Sequence, residues 1–61
     1  NLNVAEVGAL DALPGIGPVL AQRIVDWRTE HERFSNVEEL TEVSGIGPSL
    51  LEDVRDLVTV G

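Results

Sequence analysis

Cysteine is absent from this 61-residue chain, so neither a disulfide framework nor a thiolate metal site can supplement the core. Lysine is absent as well. The four basic residues are all arginines, they face eleven acids, and the formal charge is -7. No apolar run approaches the roughly 18 residues that a membrane span needs, and no signal-peptide pattern is present. Aromatic side chains are limited to Trp27 and Phe34, whose apolar neighbours assign them to core packing rather than to base stacking. His31 stands in a polar stretch with no second histidine and no cysteine, so it reads as a solvated loop residue, not a metal ligand. The sequence therefore calls for no metal and no cofactor.

Enough remains to fold. The apolar fraction of 43% is that of a globular protein and argues against disorder. A chain of this size has room for one domain, 1–61, which buries only about 60% of the surface that its unfolded form exposes. It starts at Asn1 rather than Met, and is expected to be the C-terminal part of a longer protein. The acidity is first a solvated, soluble surface. It also works against one function class, since nucleic-acid binders usually draw affinity from a basic patch that releases counterions from phosphates.

The strongest signal is internal. Displaced by 30 residues, the sequence matches itself: Leu10 falls on Leu40, Leu13 on Val43, Gly15-Ile16-Gly17-Pro18 on Gly45-Ile46-Gly47-Pro48, Leu20 on Leu50, and Ile24 on Val54. Such a period marks a duplicated supersecondary unit. Each copy reads as a short helix, a tight turn and a longer helix. Val7, Leu10 and Leu13 supply the apolar face of the first helix, and Val37, Leu40 and Val43 that of the third. Gly8 weakens the first helix. The third has two candidate capping boxes, Ser35 with Glu38 or Asn36 with Glu39. Leu20, Ile24 and Trp27 line the second helix, and Leu50 or Leu51, Val54, Leu57 and Val58 the fourth. Pro18 and Pro48 suit the first turns of the long helices, where a missing N–H costs nothing. Glu30 to Arg33 reads as a short polar connector. The expected fold class is all-α, two helix-hairpin-helix units in a compact four- to five-helix domain.

The two Gly-Ile-Gly turns carry the chemistry. Gly15 and Gly17, with Gly45 and Gly47, allow positive φ and close approach of another molecule to the main chain. Ile16 and Ile46 plug into the core and stiffen each turn. The helix start that follows exposes unpaired N–H groups and the positive end of a dipole, which hold a phosphate oxygen without any charged side chain. Two such turns emerging on one side could grip the two strands of a duplex across its minor groove. Contacts of that kind position a protein but carry no base information, so binding is expected to ignore sequence.

Leu13-Pro14-Gly15-Ile16-Gly17-Pro18 with Ala21, Ile24 and Val25, then Phe34, then Val43-Ser44-Gly45-Ile46-Gly47, resembles the tandem helix-hairpin-helix domain of ComEA-like proteins, a SAM-like fold. The resemblance spans nearly the whole chain. It implies a double-stranded DNA receptor for natural transformation, at the cell surface or outside the cell, anchored by an N-terminal segment while this part makes no direct membrane contact. The contacts that it implies map onto Gly15, Ile16, Gly17, Gly45, Ile46 and Gly47, with Val19, Arg23, Ser49 and Arg55 just beyond. Members often carry lysines at the start of the last helix, where this chain has Ser49, Glu52 and Asp53. Asp53 stands where the first copy has Arg23. Residues 1–30 carry four acids and two arginines, a net of -2, and residues 31–61 seven acids and two arginines, a net of -5. The first hairpin, with Arg23, is accordingly expected to contribute more than the second, and Arg23 more than Arg55.

Two other classes compete. A protein-interaction or structural module on the same fold would suit the acidic surface, and other proteins would then be its partners. An enzyme is the weaker reading. Asp26 could be compared with the catalytic Asp of hairpin-bearing glycosylases, but Asp56 repeats it. The domain is also too small for a base-flipping pocket, and no lysine is present to form a Schiff base. No catalytic residue is assigned.

Overall fold

The apolar pattern of each copy is satisfied by helices alone. In a computed structural model describing residues 1–61, the chain forms α1 (Val7–Asp11), α2 (Pro18–His31), a 3₁₀ helix η1 (Val37–Glu42), α3 (Pro48–Val54) and a last 3₁₀ turn η2 (Arg55–Leu57). There is no strand.

The starts of the long helices follow the sequence closely. Gly17 and Gly47 are N-caps in extended backbone, and Pro18 and Pro48 occupy the first helical position, where proline's fixed φ is already helical. The short helices differ. α1 has Glu6 as its N-cap, which makes no side-chain capping bond. The start of η1 is fixed by the Asn36–Glu39 box: Glu39 N–H donates to Asn36 Oδ1 at 3.1 Å and Asn36 N–H to Glu39 Oε1 at 3.2 Å. The other candidate, Ser35 with Glu38, is not used; Ser35 instead donates its own N–H to Glu39. Val37, Leu40 and Val43 recur every third residue, and three residues per turn is the 3₁₀ period, so this winding brings them to one face.

The second copy's long helix is shorter than expected. α2 has 14 residues and α3 only 7 before the 3₁₀ turn. The change of winding after Val54 turns Val58 into the core and leaves Leu57 58% exposed, so Leu57 does not join the buried face. The connector differs too. α2 runs through Glu30 to His31 and is stopped by Glu32, which takes a positive φ of 73°. His31 is thus the last residue of a helix rather than a loop residue. Its ring stacks on Trp27 one turn earlier, centroids 4.1 Å apart, and Trp27 stacks in turn on Phe34 at 4.4 Å.

Thirteen side chains are buried and none is polar. Leu10, Ile16, Ala21, Ile24 and Trp27 of the first copy meet Leu40, Val43, Ile46, Leu51, Val54 and Val58 of the second, around Phe34. Leu2 completes this core. Its N–H donates to Thr59 O at 2.8 Å, so the two ends of the chain lie side by side. Polar clamps hold the N-terminal segment in place. Asn3 pairs with both backbone groups of Phe34, and Arg28 Nη1 donates to the carbonyls of Leu2 and Ala5.

Candidate functional site

Each turn is built by the same two devices. Gly15 and Gly45 adopt φ of 78° and 96°, the left-handed region that favours glycine. Ile16 and Ile46 then point inward, 4% exposed each. Their amides are consumed locally: Ile16 N–H donates to Leu13 O at 3.0 Å and Ile46 N–H to Val43 O at 3.1 Å. These two isoleucines hold the turn and have no free amide to offer a ligand.

The packing of the turns reveals how the copies are related. A Cβ on Gly15 would sit 2.6 Å from Leu50 Cδ1, and a Cβ on Gly45 would sit 2.7 Å from Leu20 Cδ2. Leu20 and Leu50 are equivalent under the 30-residue shift, as are the two glycines. Each turn is therefore covered by the first-turn leucine of the other copy. That reciprocity is the signature of a pseudo-twofold, and it places both turns and both long-helix starts together.

What those starts leave unsatisfied is a matched pair of donor sets. The N–H groups of Gly17, Val19 and Leu20 donate to no other group in the chain, nor do those of Gly47, Ser49 and Leu50. They are the orphan donors of a helix start, and neither cap glycine offers a side-chain acceptor to satisfy them. The amides of Leu20 and Leu50 belong with Val19 and Ser49 in this set. Counting three residues on from each cap would have found them in the sequence.

Gly17 and Gly47 also differ from their partner glycines in a telling way. Their φ values are -102° and -101°, which any residue adopts, and a Cβ there would meet nothing within 4 Å. Neither therefore uses the positive φ expected for it. Serine, asparagine or aspartate would cap each helix better. Nothing inside the chain asks for glycine at these two positions.

The charged residues are arranged asymmetrically. Arg23 Nη1 donates to Ser44 O at 3.1 Å and lies against Gly45, so it borders the second turn, not the first that precedes it in sequence. Arg55 is engaged by Glu38 and, at 3.6 Å, by Glu52, which leaves its charge compensated. Arg28 and Arg33 are committed to backbone carbonyls near the chain ends. Val19 is exposed beside the first turn, as Ser49 is beside the second. From Arg23 a shallow groove of about 430 Å³ runs along α2 past Asp26, Glu30 and His31, with Glu42 and Ser44 on its other wall. Its acids form no cluster able to hold a metal ion.

Paired hairpins that cover each other's glycines define a tandem, all-helical hairpin module. The chain belongs to the helix-hairpin-helix motif family, whose model matches residues 1–59, and within it is a ComEA-like domain. It is 38% identical to ComE operon protein 1 of Bacillus subtilis over 60 residues, which cover 98% of this chain and 29% of that protein. An uncharacterized protein of Haemophilus influenzae is 42% identical over 59 residues, 95% of this chain and 53% of the relative. The human endonuclease/exonuclease/phosphatase family domain-containing protein 1 is 36% identical over 58 residues, which amount to 95% of this chain but only 10% of that enzyme-family protein. The chain thus spans little more than half, or much less, of the relatives that it matches, and the enzyme-family likeness is confined to the hairpin region. No solved structure matches it.

Proposed function

We propose that the domain binds double-stranded DNA without reading its sequence, each hairpin donating backbone amides to a phosphate oxygen, and that it serves as a DNA receptor in uptake. The reading rests on the two matched sets of unpartnered amides, at Gly17, Val19 and Leu20 and at Gly47, Ser49 and Leu50, next to cap glycines that have no internal reason to be glycine. Pairs of N–H groups at a helix start are suited to a phosphate, and contacts confined to phosphates are indifferent to base identity. The similarity to ComE operon protein 1 supports the place in DNA uptake. A cell-surface or extracellular position, held by an anchoring segment elsewhere in the parent protein, belongs to the same proposal. No helix here is long and apolar enough to cross a membrane. The module acts by binding, with no catalytic step.

One observation favours a protein-interaction role instead: the charge of -7 would repel DNA at long range. Titrating a fluorescent random-sequence duplex with the domain at low and near-physiological salt separates the two. The decisive variant is Gly17→Asp/Gly47→Asp, which adds a carboxylate at each proposed phosphate position while keeping the backbone that any residue adopts. Its control is Val4→Asp/Thr59→Asp, the same added charge on exposed residues near the chain ends. Binding by the wild type and the control, lost in the folded cap variant, is the expected result. A wild type that fails to bind at low salt gives the module to a protein partner.

A further inference from the structure

The two hairpins, equal in backbone, stand in opposite electrostatic surroundings. Arg23 lies one helical turn beyond Leu20, the leucine that covers the second turn, and its guanidinium reaches Ser44 O and the surface of Gly45. Asp53 lies one turn beyond Leu50, the leucine that covers the first turn, and is exposed. The 30-residue shift carries Arg23 onto Asp53. The pseudo-twofold gives Asp53 the helix position beside the first hairpin that Arg23 has beside the second, although its shorter side chain does not come within 4 Å of a Cβ on Gly15. The other three arginines are tied to carbonyls near the chain ends or to Glu38 and Glu52, so Arg23 is the cation that the hairpins have.

We propose that Arg23, reaching across from the first copy, makes the second hairpin the dominant phosphate site, and that Asp53 in the equivalent place weakens the first. The unit of recognition is thus a turn from one copy with a side chain from the other. This rests on the hairpins binding DNA phosphates, and it reverses the order expected from the charges of the two halves of the sequence. Arg23 has a double role. Nη1 holds the Ser44 carbonyl, and the rest of the guanidinium offers donors in a fork that suits a phosphate oxygen. The groove acids Asp26, Glu30 and Glu42 border it on one side, which confines the approach of a phosphate to the hairpin side of α2.

The inference is tested by duplex binding across a salt series for the wild type, Arg23→Gln, Asp53→Arg and Glu32→Arg. Arg23→Gln keeps a donor for the Ser44 carbonyl but removes the charge. Roughly tenfold weaker binding is expected, the size of one charge-assisted contact, together with a salt slope shallower by about 0.9, the value of one neutralised phosphate. Asp53→Arg gives the first hairpin what the second has, and should tighten binding by about tenfold or more while steepening the slope by a similar amount. Glu32→Arg makes the same change of net charge at the opposite end of α2, about 13 Å beyond Arg23 at 1.5 Å per residue, and is expected to alter affinity by no more than about twofold at near-physiological salt, where the Debye length is about 8 Å. Equal gains from Asp53→Arg and Glu32→Arg would reduce the effect to net charge and overturn the proposal. So would an unchanged salt slope in Arg23→Gln while the wild type binds. A wild type and an Asp53→Arg variant that both fail to bind at low salt overturn the hairpin reading itself.

Discussion

The cap glycines of the two hairpins agree closely, at φ/ψ of -102°/-174° for Gly17 and -101°/-179° for Gly47. The helices that follow do not: α2 continues for 14 residues and α3 for 7. Duplication has kept the turn, its inward isoleucine and the leucine that covers the opposite turn. It has let the distal part of the helix diverge. The shared part is where the copies touch each other, so a change in one must be met by the other. The divergent part meets the connector in one copy and the chain's own terminus in the other, and each environment selects its own residue. Trp27 and Leu57 show this best. They are equivalent under the repeat, yet Trp27 is 8% exposed within a three-ring stack and Leu57 is 58% exposed.

That pair supplies the largest expected effect. Trp27→Ala removes the central ring of the stack and should cost about 3 kcal/mol or more, within the usual range for an aromatic deleted from a core. In a domain this small, such a loss is a large fraction of the total stability. Leu57→Ala should stay within about 0.5 kcal/mol, as for other surface changes. Urea unfolding of the two variants measures the difference, and similar losses would mean that α3 and η2 pack as α2 does.

Next come the turns themselves. Gly15→Ala and Gly45→Ala each force a side chain into positive φ and onto a leucine methyl under 3 Å away. The backbone alone costs about 1–2 kcal/mol. If the turns are equivalent the two losses should be nearly equal, with Gly45→Ala the larger, because Arg23 Nη1 also stands 3.0 Å from the new methyl. A circular-dichroism melt of each variant reads the ranking. The same geometry makes these two glycines poor probes of binding, since substituting them disturbs the fold.

The sequence displays these turns because their causes are local or periodic. A positive-φ glycine, an apolar plug and a proline at the first helical position follow one another in the chain, and the shift by 30 residues states them twice. Contacts made between copies are not displayed. Arg23 precedes the second hairpin by 21 residues, and only folding reveals that it serves Ser44 rather than the turn beside it. The early end of α3, the use of Leu2 as a core residue and the stacking of His31 on Trp27 have the same origin. Each is set by what the rest of the fold puts next to it, which periodicity along one helix does not encode. The isoleucine amides are a subtler case. Ile16 and Ile46 stand out in the sequence, but a tight turn uses its own N–H, and the free donors lie one to four residues later.

Smaller effects sharpen the comparison between the short helices. Gly8 lies in α1, exposed and with open space where a Cβ would stand, so Gly8→Ala should stabilise the domain by about 0.5–1 kcal/mol. Its counterpart Glu38 already occupies the first turn of η1, beside a capping box. A thermal melt that shows no gain for Gly8→Ala would mean that α1 is held by its packing on α2 alone, with helix propensity irrelevant to it.

The smallest effect on stability bears most directly on function. Gly17 and Gly47 are N-caps without a side-chain acceptor, on backbone open to every residue. Aspartate there can accept the N–H of Leu20 or Leu50 and place its charge at the positive end of the helix. Each substitution should therefore stabilise the fold by about 0.3 kcal/mol, the small margin that separates glycine from the best caps. Equal gains at the two sites are expected from their matching backbone angles, and chemical denaturation of the single variants is sensitive enough to give the sign. A residue that improves the fold when replaced is not required by the fold, which leaves the position open to a role outside it. If Gly17→Asp and Gly47→Asp instead destabilise the domain, these glycines have an internal role after all, and the inference that they make room for a phosphate loses its footing. A gain at one site and a loss at the other would show that the copies have diverged even at the turn, where their backbones agree most closely.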